Sequence, residues 1–269
     1  MKSLLVPIVL STTVGIGGVV VAPIVTASVA NPSPLMPTPP EAKSFATDDW
    51  GTVAYWANEG FETFKQKYQK DYVDNGNTFV GLTKEMTIDG LTYPIMVIDE
   101  NKDVISGTEK KTALTLQFRN LLTDSKALEP LYLQFGQEPN WKTSSLRTFL
   151  QRDFASKIEL ILGSDIPAVD KPYKVWGKPE EIICDTVFAP DYAEIGKSAR
   201  SYAYYADEDP HGKSSRRCIQ GFYHEGDFYW TRQPYGGDYQ IGICDCGNGL
   251  LTSMDIPTDS HPVAPIFNI

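Results

Sequence analysis

Residues 218–246 read CIQGFYHEGDFYWTRQPYGGDYQIGICDC, and aromatic residues, turn signals and cysteines are concentrated in this stretch. Its runs of aromatic and β-branched residues predict three strands, at 219–223, 228–233 and 239–244. The segments between them are rich in Gly, Asp and Pro, which are typical of tight turns between antiparallel strands. The stretch therefore predicts a β-meander with a cysteine at each end.

The meander and the segment before it are rich in aromatic residues. Ten Phe, Trp and Tyr residues occur between positions 202 and 239. Because successive side chains of a strand point to opposite faces, about half of them are expected to point outward. An exposed aromatic face with arginine nearby suits the binding of a protein or a carbohydrate, and burial in the core is the alternative. The residues expected to bind are Tyr223, Tyr229, Trp230, Arg232 and Tyr235.

The N-terminus has the pattern of an export signal. Lys2 is followed by an uncharged, mostly apolar run to Ala30, and small residues at its end favour cleavage there, which predicts a signal peptide at 1–30. The run is also long enough to span a bilayer, so a retained membrane anchor is the alternative. Residues 31–44 are predicted to be a proline-rich linker. The folded body is therefore expected outside the cytoplasm, either secreted or anchored through its N-terminal segment.

An exported chain with an even number of cysteines predicts disulfide bonds. The four cysteines are Cys184, Cys218, Cys244 and Cys246. Cys244 and Cys246 are too close in sequence to bond each other without strain, so each is expected to pair with Cys184 or Cys218. A four-thiolate zinc site and a C-x-C redox pair are the competing uses of these residues.

The folded body is predicted to have two parts. Residues 45–164 contain mixed helix and strand patterns and no cysteine, whereas 173–269 are rich in strand patterns and contain all four cysteines. The two parts can also form one continuous domain. The predicted fold class is α+β, with an N-terminal mixed helix and strand part followed by a disulfide-stapled antiparallel β-meander.

The first part contains clear local signals. Apolar residues at three- and four-residue steps after Asp49 predict an amphipathic helix of about 25 residues. Asp89 and Gly90 predict a hairpin turn between two strands. A second helix is predicted to be capped near Ser144 and to end at Gly163.

Residues 93–114 read YPIMVIDENKDVISGTEKKTAL, in which a Pro-Ile strand, an acidic turn and a glycine precede a predicted helix at 107–122. Gly107, Lys110 and Ala113 have the spacing G-x-x-K-x-x-A. The pattern resembles the core of ParB-like and sulfiredoxin-like domains, in which arginine is usual at the lysine position. The resemblance implies that the helix N-terminus and Lys110 bind a nucleotide phosphate. An ordinary β-turn-β-α unit accounts for the same residues.

Two acidic loops of the second part contain histidine. Their candidate catalytic residues are Asp209, His211, His224 and Glu225, because carboxylates and imidazoles perform acid–base chemistry in hydrolases. Solvated turns without a catalytic role are the alternative interpretation.

Composition limits the remaining choices. The formal net charge is -10, which disfavours nucleic acid as a partner because nucleic-acid-binding proteins need a basic surface. With three histidines the chain has little material for a histidine-rich metal site, and neither a metal nor a cofactor is predicted. We expect an exported binding protein for a protein or carbohydrate partner at the cell exterior. An exported hydrolase is the alternative, and a ParB-like nucleotide-binding unit is third.

Overall fold

The structure is a computed structural model. It describes the chain from residue 38 to residue 269 except for 176, 210–211, 220–226 and 235–239, and for 252–254 it describes the backbone alone. The predicted leader, half of the linker and most of the predicted strand 219–223 lie outside these residues. From Pro40 to Ile269 the described chain forms one compact unit. Within the described ranges, no helix is both long enough and apolar enough to cross a membrane.

Short helices lie at two places before the second part of the chain, and one follows within it. The α-helices are α1 (Trp50–Asn58), α2 (Phe61–Lys67), α3 (Gln69–Asp74), α4 (Ser145–Thr148), α5 (Ala155–Leu162) and α6 (Tyr192–Ile195). As expected, Asp49 caps α1, since its side chain accepts a hydrogen bond from the Thr52 amide at 2.7 Å. Gly60, with φ of 93°, interrupts the helical path between α1 and α2, and Tyr68, with φ of -108°, separates α2 from α3. The single long helix predicted here is therefore three short ones.

The strands form four sheets in the described part of the chain. They are β1 (Thr83–Ile88), β2 (Leu91–Glu100), β3 (Leu114–Phe118), β4 (Leu133–Gln134), β5 (Val169–Tyr173), β6 (Glu181–Asp185), β7 (Val187–Phe188), β8 (Phe228–Pro234), β9 (Ile241–Asp245), β10 (Leu251–Asp255), β11 (Ser260–His261) and β12 (Ile266–Asn268). The largest sheet has the order β1-β2-β3-β12-β7, and β10-β9-β8 form a second sheet. The remaining pairs are β11–β4 and β5–β6. The predicted hairpin between β1 and β2 is confirmed, because Asp89 and Gly90 both have positive φ.

The largest sheet contains the last strand of the described chain, β12, together with β1, β2 and β3 from its first half. Strand β12 lies antiparallel between β3 and β7. Phe118 of β3 packs against Phe267 of β12 and against Phe154 of the helical segment, with ring centroids 5.9 and 5.4 Å apart. The main core therefore lies between this sheet and the helix that begins at α4.

The prediction of a helix at 107–122 is wrong. Gly107 has φ of 74° in a turn, and β3 follows as a central strand of the sheet. All five residues of β3 are buried, and a strand buried on both faces has no polar alternation that would distinguish it from a helix. Because the described chain has no helix beginning near Gly107, the helix N-terminus on which the ParB-like phosphate site depended is not there.

The chain is α+β, but the disulfide-stapled meander is a wrong prediction. Cys184, Cys218, Cys244 and Cys246 are all free thiols. Cys244 and Cys246 are buried, whereas Cys184 is exposed on β6, with its Sγ 3.6 Å from an oxygen of Asp170. The sheet β10-β9-β8 is held instead by its backbone ladder and by the burial of its side chains.

The predicted second helix is confirmed, with one change in its winding. The Ser144 side chain accepts a hydrogen bond from the Arg147 amide at 2.9 Å, and the helix ends at Gly163 with φ of 65°. Between α4 and α5 the chain winds as a π-helix over Phe149–Phe154. Phe149 and Asp153 of this irregular segment line a surface cleft.

Candidate functional site

The predicted aromatic binding face is not exposed at the residues that the structure describes. Tyr229, Trp230 and Arg232 are each 1% exposed or less. Tyr223 and Tyr235 lie outside the described residues. The three described side chains therefore belong to the core. The prediction that they contact a partner directly is corrected accordingly.

Each of these side chains is covered by a segment distant in sequence. Trp230 packs against Phe135 and His261, with ring centroids 5.6 and 4.7 Å apart, and its Nε1 donates to the Leu133 carbonyl at 2.6 Å. The Tyr229 hydroxyl donates to the Arg217 carbonyl at 3.2 Å. Local alternation in β8 gives no information about these covering segments.

The structure describes one of the four predicted catalytic residues. Asp209 is exposed, and His211, His224 and Glu225 lie outside the described residues. Among the residues that are described, no group of three or more His, Cys, Asp or Glu side chains could hold a metal ion. The described residues thus place one member of the predicted hydrolase site at the surface.

The structure brings together a His–Asp pair that the sequence pattern did not indicate. Nε2 of His261 lies 2.7 Å from Oδ2 of Asp255, and both side chains are half-buried. The imidazole is held edge-on against Trp230 and Phe228. Burial opposes the ionisation of Asp255, but hydrogen bonds with the Asp259 side chain, the His261 side chain and the Ile256 amide lower its pKa. The pair is a fixed imidazole with an orienting carboxylate.

A polar cleft of about 770 Å³ lies between β4 with its following turn and the helix that begins at α4. One wall consists of Gln134, Gly136, Gln137 and Glu138. The other wall consists of Thr143, Ser145, Thr148, Phe149 and Asp153. This volume is within the range of sites that bind small molecules, about 300–1,000 Å³.

Backbone contacts fix the two walls of the polar cleft relative to each other. The Leu146 amide donates to the Phe135 carbonyl at 3.2 Å, and the Ser145 hydroxyl donates to the Gln134 carbonyl at 3.2 Å. The two walls are in contact at Gly136, where an added Cβ would lie 3.4 Å from Cα of Ser144. The cleft is therefore formed by the fold itself and needs no ligand to assemble it.

The first wall of the polar cleft presents polar groups that the protein does not use. Within the described part of the chain, the side chains of Gln134, Gln137 and Glu138 are exposed and make no hydrogen bond or ion pair. Amides and carboxylates donate or accept several hydrogen bonds each. These three side chains are thus available to a ligand.

The second wall is carried by the irregular part of the helix. Phe149 and Asp153 both lie on the π-helical segment, and π-helical turns frequently occur at functional sites. The half-buried Phe149 ring stacks on Phe154 with an interplanar angle of 25°. The segment therefore places a fixed aromatic ring beside exposed polar groups.

The sequence matches no known protein family, and it has no significant match among curated proteins or among solved structures.

Proposed function

We propose that the protein is an exported binding protein that recognises a carbohydrate outside the cell through the polar cleft. The observation that carries this proposal is the set of unused side chains, Gln134, Gln137 and Glu138, facing the Phe149 wall in an open cleft. Sugars need such a combination, because their hydroxyl groups form many hydrogen bonds and their C–H faces pack on aromatic rings.

Two features of the sequence support the cellular context. The apolar leader favours export, and the net charge of -10 disfavours a nucleic acid or an anionic membrane as the partner. An open cleft with polar walls also suits a polymer better than a buried small molecule, since a chain can extend beyond both ends of an open cleft. The proposed partner is therefore an extended glycan at the cell exterior.

The proposal is tested by titrating the purified protein with a panel of oligosaccharides and measuring affinity by calorimetry. The Gln134→Ala/Gln137→Ala double variant is expected to weaken binding about tenfold, because each lost hydrogen bond contributes roughly 0.5–1.5 kcal/mol. Both residues are exposed, so folding is not expected to change. Gln66→Ala, at an exposed position outside the cleft, is the matched control and should bind like the wild type. Binding that the double variant retains in full, or no binding by any oligosaccharide, would contradict the proposal.

A hydrolase is the second candidate function, and the His261–Asp255 pair favours it. An imidazole oriented by a carboxylate is the arrangement of a general base, in which Asp255 holds Nε2 and the other ring nitrogen accepts a proton. The test is to incubate the protein with the oligosaccharides that it binds. New reducing ends would report hydrolysis of glycosidic bonds, and released acetate would report hydrolysis of acetyl groups. Product formation that His261→Ala abolishes would establish hydrolysis, whereas unchanged oligosaccharides would exclude it for those substrates.

A further inference from the structure

The polar cleft has an unbalanced charge. Glu138 on one wall and Asp153 on the other are exposed carboxylates, and none of the described residues that line the cleft is Lys, Arg or His. A ligand in the cleft therefore meets two negative groups together with neutral amides and hydroxyls.

The Lys and Arg side chains near the cleft pair with carboxylates outside it or form only an exposed ion pair. Lys142 binds Glu181, with Nζ 2.9 Å from Oε2, and Arg147 binds Asp185, with Nε 2.7 Å from Oδ1. Glu181 and Asp185 both belong to β6, so these two ion pairs hold Lys142 and Arg147 against that strand.

One cation does contact a cleft carboxylate. Nε of Arg152 lies 3.3 Å from Oδ1 of the adjacent Asp153, but the Arg152 side chain is 77% exposed. An exposed pair of this kind contributes little, and a ligand cation can compete with it. Asp153 therefore remains available to a ligand, as does Glu138.

We infer that the cleft prefers a glycan that carries free amino groups over the same glycan with those groups acylated. The inference rests on the proposed function and narrows its ligand class. A protonated amino group donates charge-assisted hydrogen bonds to carboxylates, which are stronger than bonds between neutral groups. A glycan with carboxylate groups of its own is disfavoured, because it would place like charges beside Glu138 and Asp153.

The test compares two ligands that differ in one substituent: a glucosamine oligosaccharide and the N-acetylglucosamine oligosaccharide of equal length. Affinities are measured by calorimetry at mildly acidic pH, where the free amino groups are protonated. We expect the amino form to bind about fivefold more tightly at low salt, the factor that one or two exposed ion pairs supply. Raising the ionic strength from about 0.05 to about 0.5 M should reduce this preference, since salt screens exposed charges.

Matched variants separate the cleft carboxylates from the overall negative charge of the protein. The Glu138→Gln/Asp153→Asn double variant keeps the shape of both side chains and should bind the two ligands equally. Glu109→Gln removes an exposed carboxylate outside the cleft and should leave the preference unchanged.

The failure of this inference is distinguishable from failure of the proposed function. If the acetylated form binds as tightly as the amino form, or if the preference persists in the double variant, the inference is overturned and carbohydrate binding stands. If neither these two ligands nor any other oligosaccharide of the panel binds, the proposed function is overturned, and the inference with it.

Discussion

The guanidinium of Arg232 binds the carboxylate of Glu194 through two hydrogen bonds, Nη1 to Oε2 at 2.7 Å and Nη2 to Oε1 at 2.6 Å, and both side chains are buried. Nζ of Lys171 lies 3.3 Å from the same carboxylate and 2.5 Å from Oδ1 of Asp103. We call Arg232, Glu194, Lys171 and Asp103 the buried ionic cluster. It joins β8, α6, β5 and the turn after β2, so it connects segments on both sides of the predicted boundary between the two parts.

Glu194→Gln is expected to lower the free energy of unfolding by about 3–5 kcal/mol, because it leaves Arg232 and Lys171 buried without their common counter-charge. Urea unfolding followed by circular dichroism measures the change. Glu180→Gln is the matched control, since Glu180 pairs with Arg200 at 3.1 Å on the surface and should cost less than about 1 kcal/mol. Equal losses in both variants would show that the cluster adds no more than a surface pair.

The stability that Glu194 contributes is expected to disappear in acid. Burial opposes its ionisation, but the charges of Arg232 and Lys171 and the hydrogen bonds to Arg232 outweigh burial and lower its pKa from 4.5 to about 2. A carboxyl group with a lowered folded-state pKa stabilises above the unfolded value, and this contribution is lost as the pH falls through the folded value. The loss should therefore occur between about pH 4.5 and 2 and amount to about 3 kcal/mol.

The measurement for this prediction is the difference in unfolding free energy between wild type and Glu194→Gln as a function of pH. Asp191 acts in the opposite direction, because burial and the neighbouring Glu194 charge raise its pKa, so the comparison is repeated with Asp191→Asn in both proteins. A difference that stays constant from neutral pH to pH 2 would contradict the assignment to Glu194.

Trp230→Ala is expected to destabilise the protein by about 3–5 kcal/mol, because it empties a fully buried site between Phe135 and His261. Tyr132→Ala removes an aromatic residue that is 40% exposed and should cost less than about 1 kcal/mol. Thermal or urea unfolding distinguishes the two. A small effect at Trp230 would restore it as a surface residue of the predicted aromatic face.

The cysteines are expected to react at very different rates with iodoacetamide. Cys184 is exposed and should be alkylated first, whereas Cys244 is buried, and burial raises the pKa of its thiol to about 12. The thiolate is the reactive form, so Cys244 should react only after unfolding. Mass spectrometry of native and urea-unfolded protein without reductant measures this. Fewer than four alkylated thiols after unfolding would indicate disulfide bonds and contradict the structure.

Features that depend on a few neighbouring residues were predictable from the sequence. The Asp89-Gly90 turn, the Asp49 and Ser144 caps and the helix end at Gly163 all follow from local backbone preferences. The prediction failed at β3, because a central strand buried on both faces has the apolar content of a buried helix.

The polar cleft was not predictable, although the helix that forms one of its walls was. No pattern in the sequence shows that Gln134 and Asp153 face the same space. The π-helical winding that carries Phe149 also has no signal in the sequence. The available hint was a polar run, Gln137-Glu138-Pro139-Asn140, directly before the capping residues of a helix.

By itself, the sequence determined the α+β composition, the hairpin turn and the helix ends, since these depend on φ preferences and capping within one or two turns of chain. Only the tertiary structure decided that Trp230 and Arg232 are buried and that the four cysteines remain free. The physical reason is that burial and pairing depend on the segments that cover a side chain. Trp230 is covered by Phe135, and Arg232 meets Glu194, partners 95 and 38 positions away that no local pattern identifies.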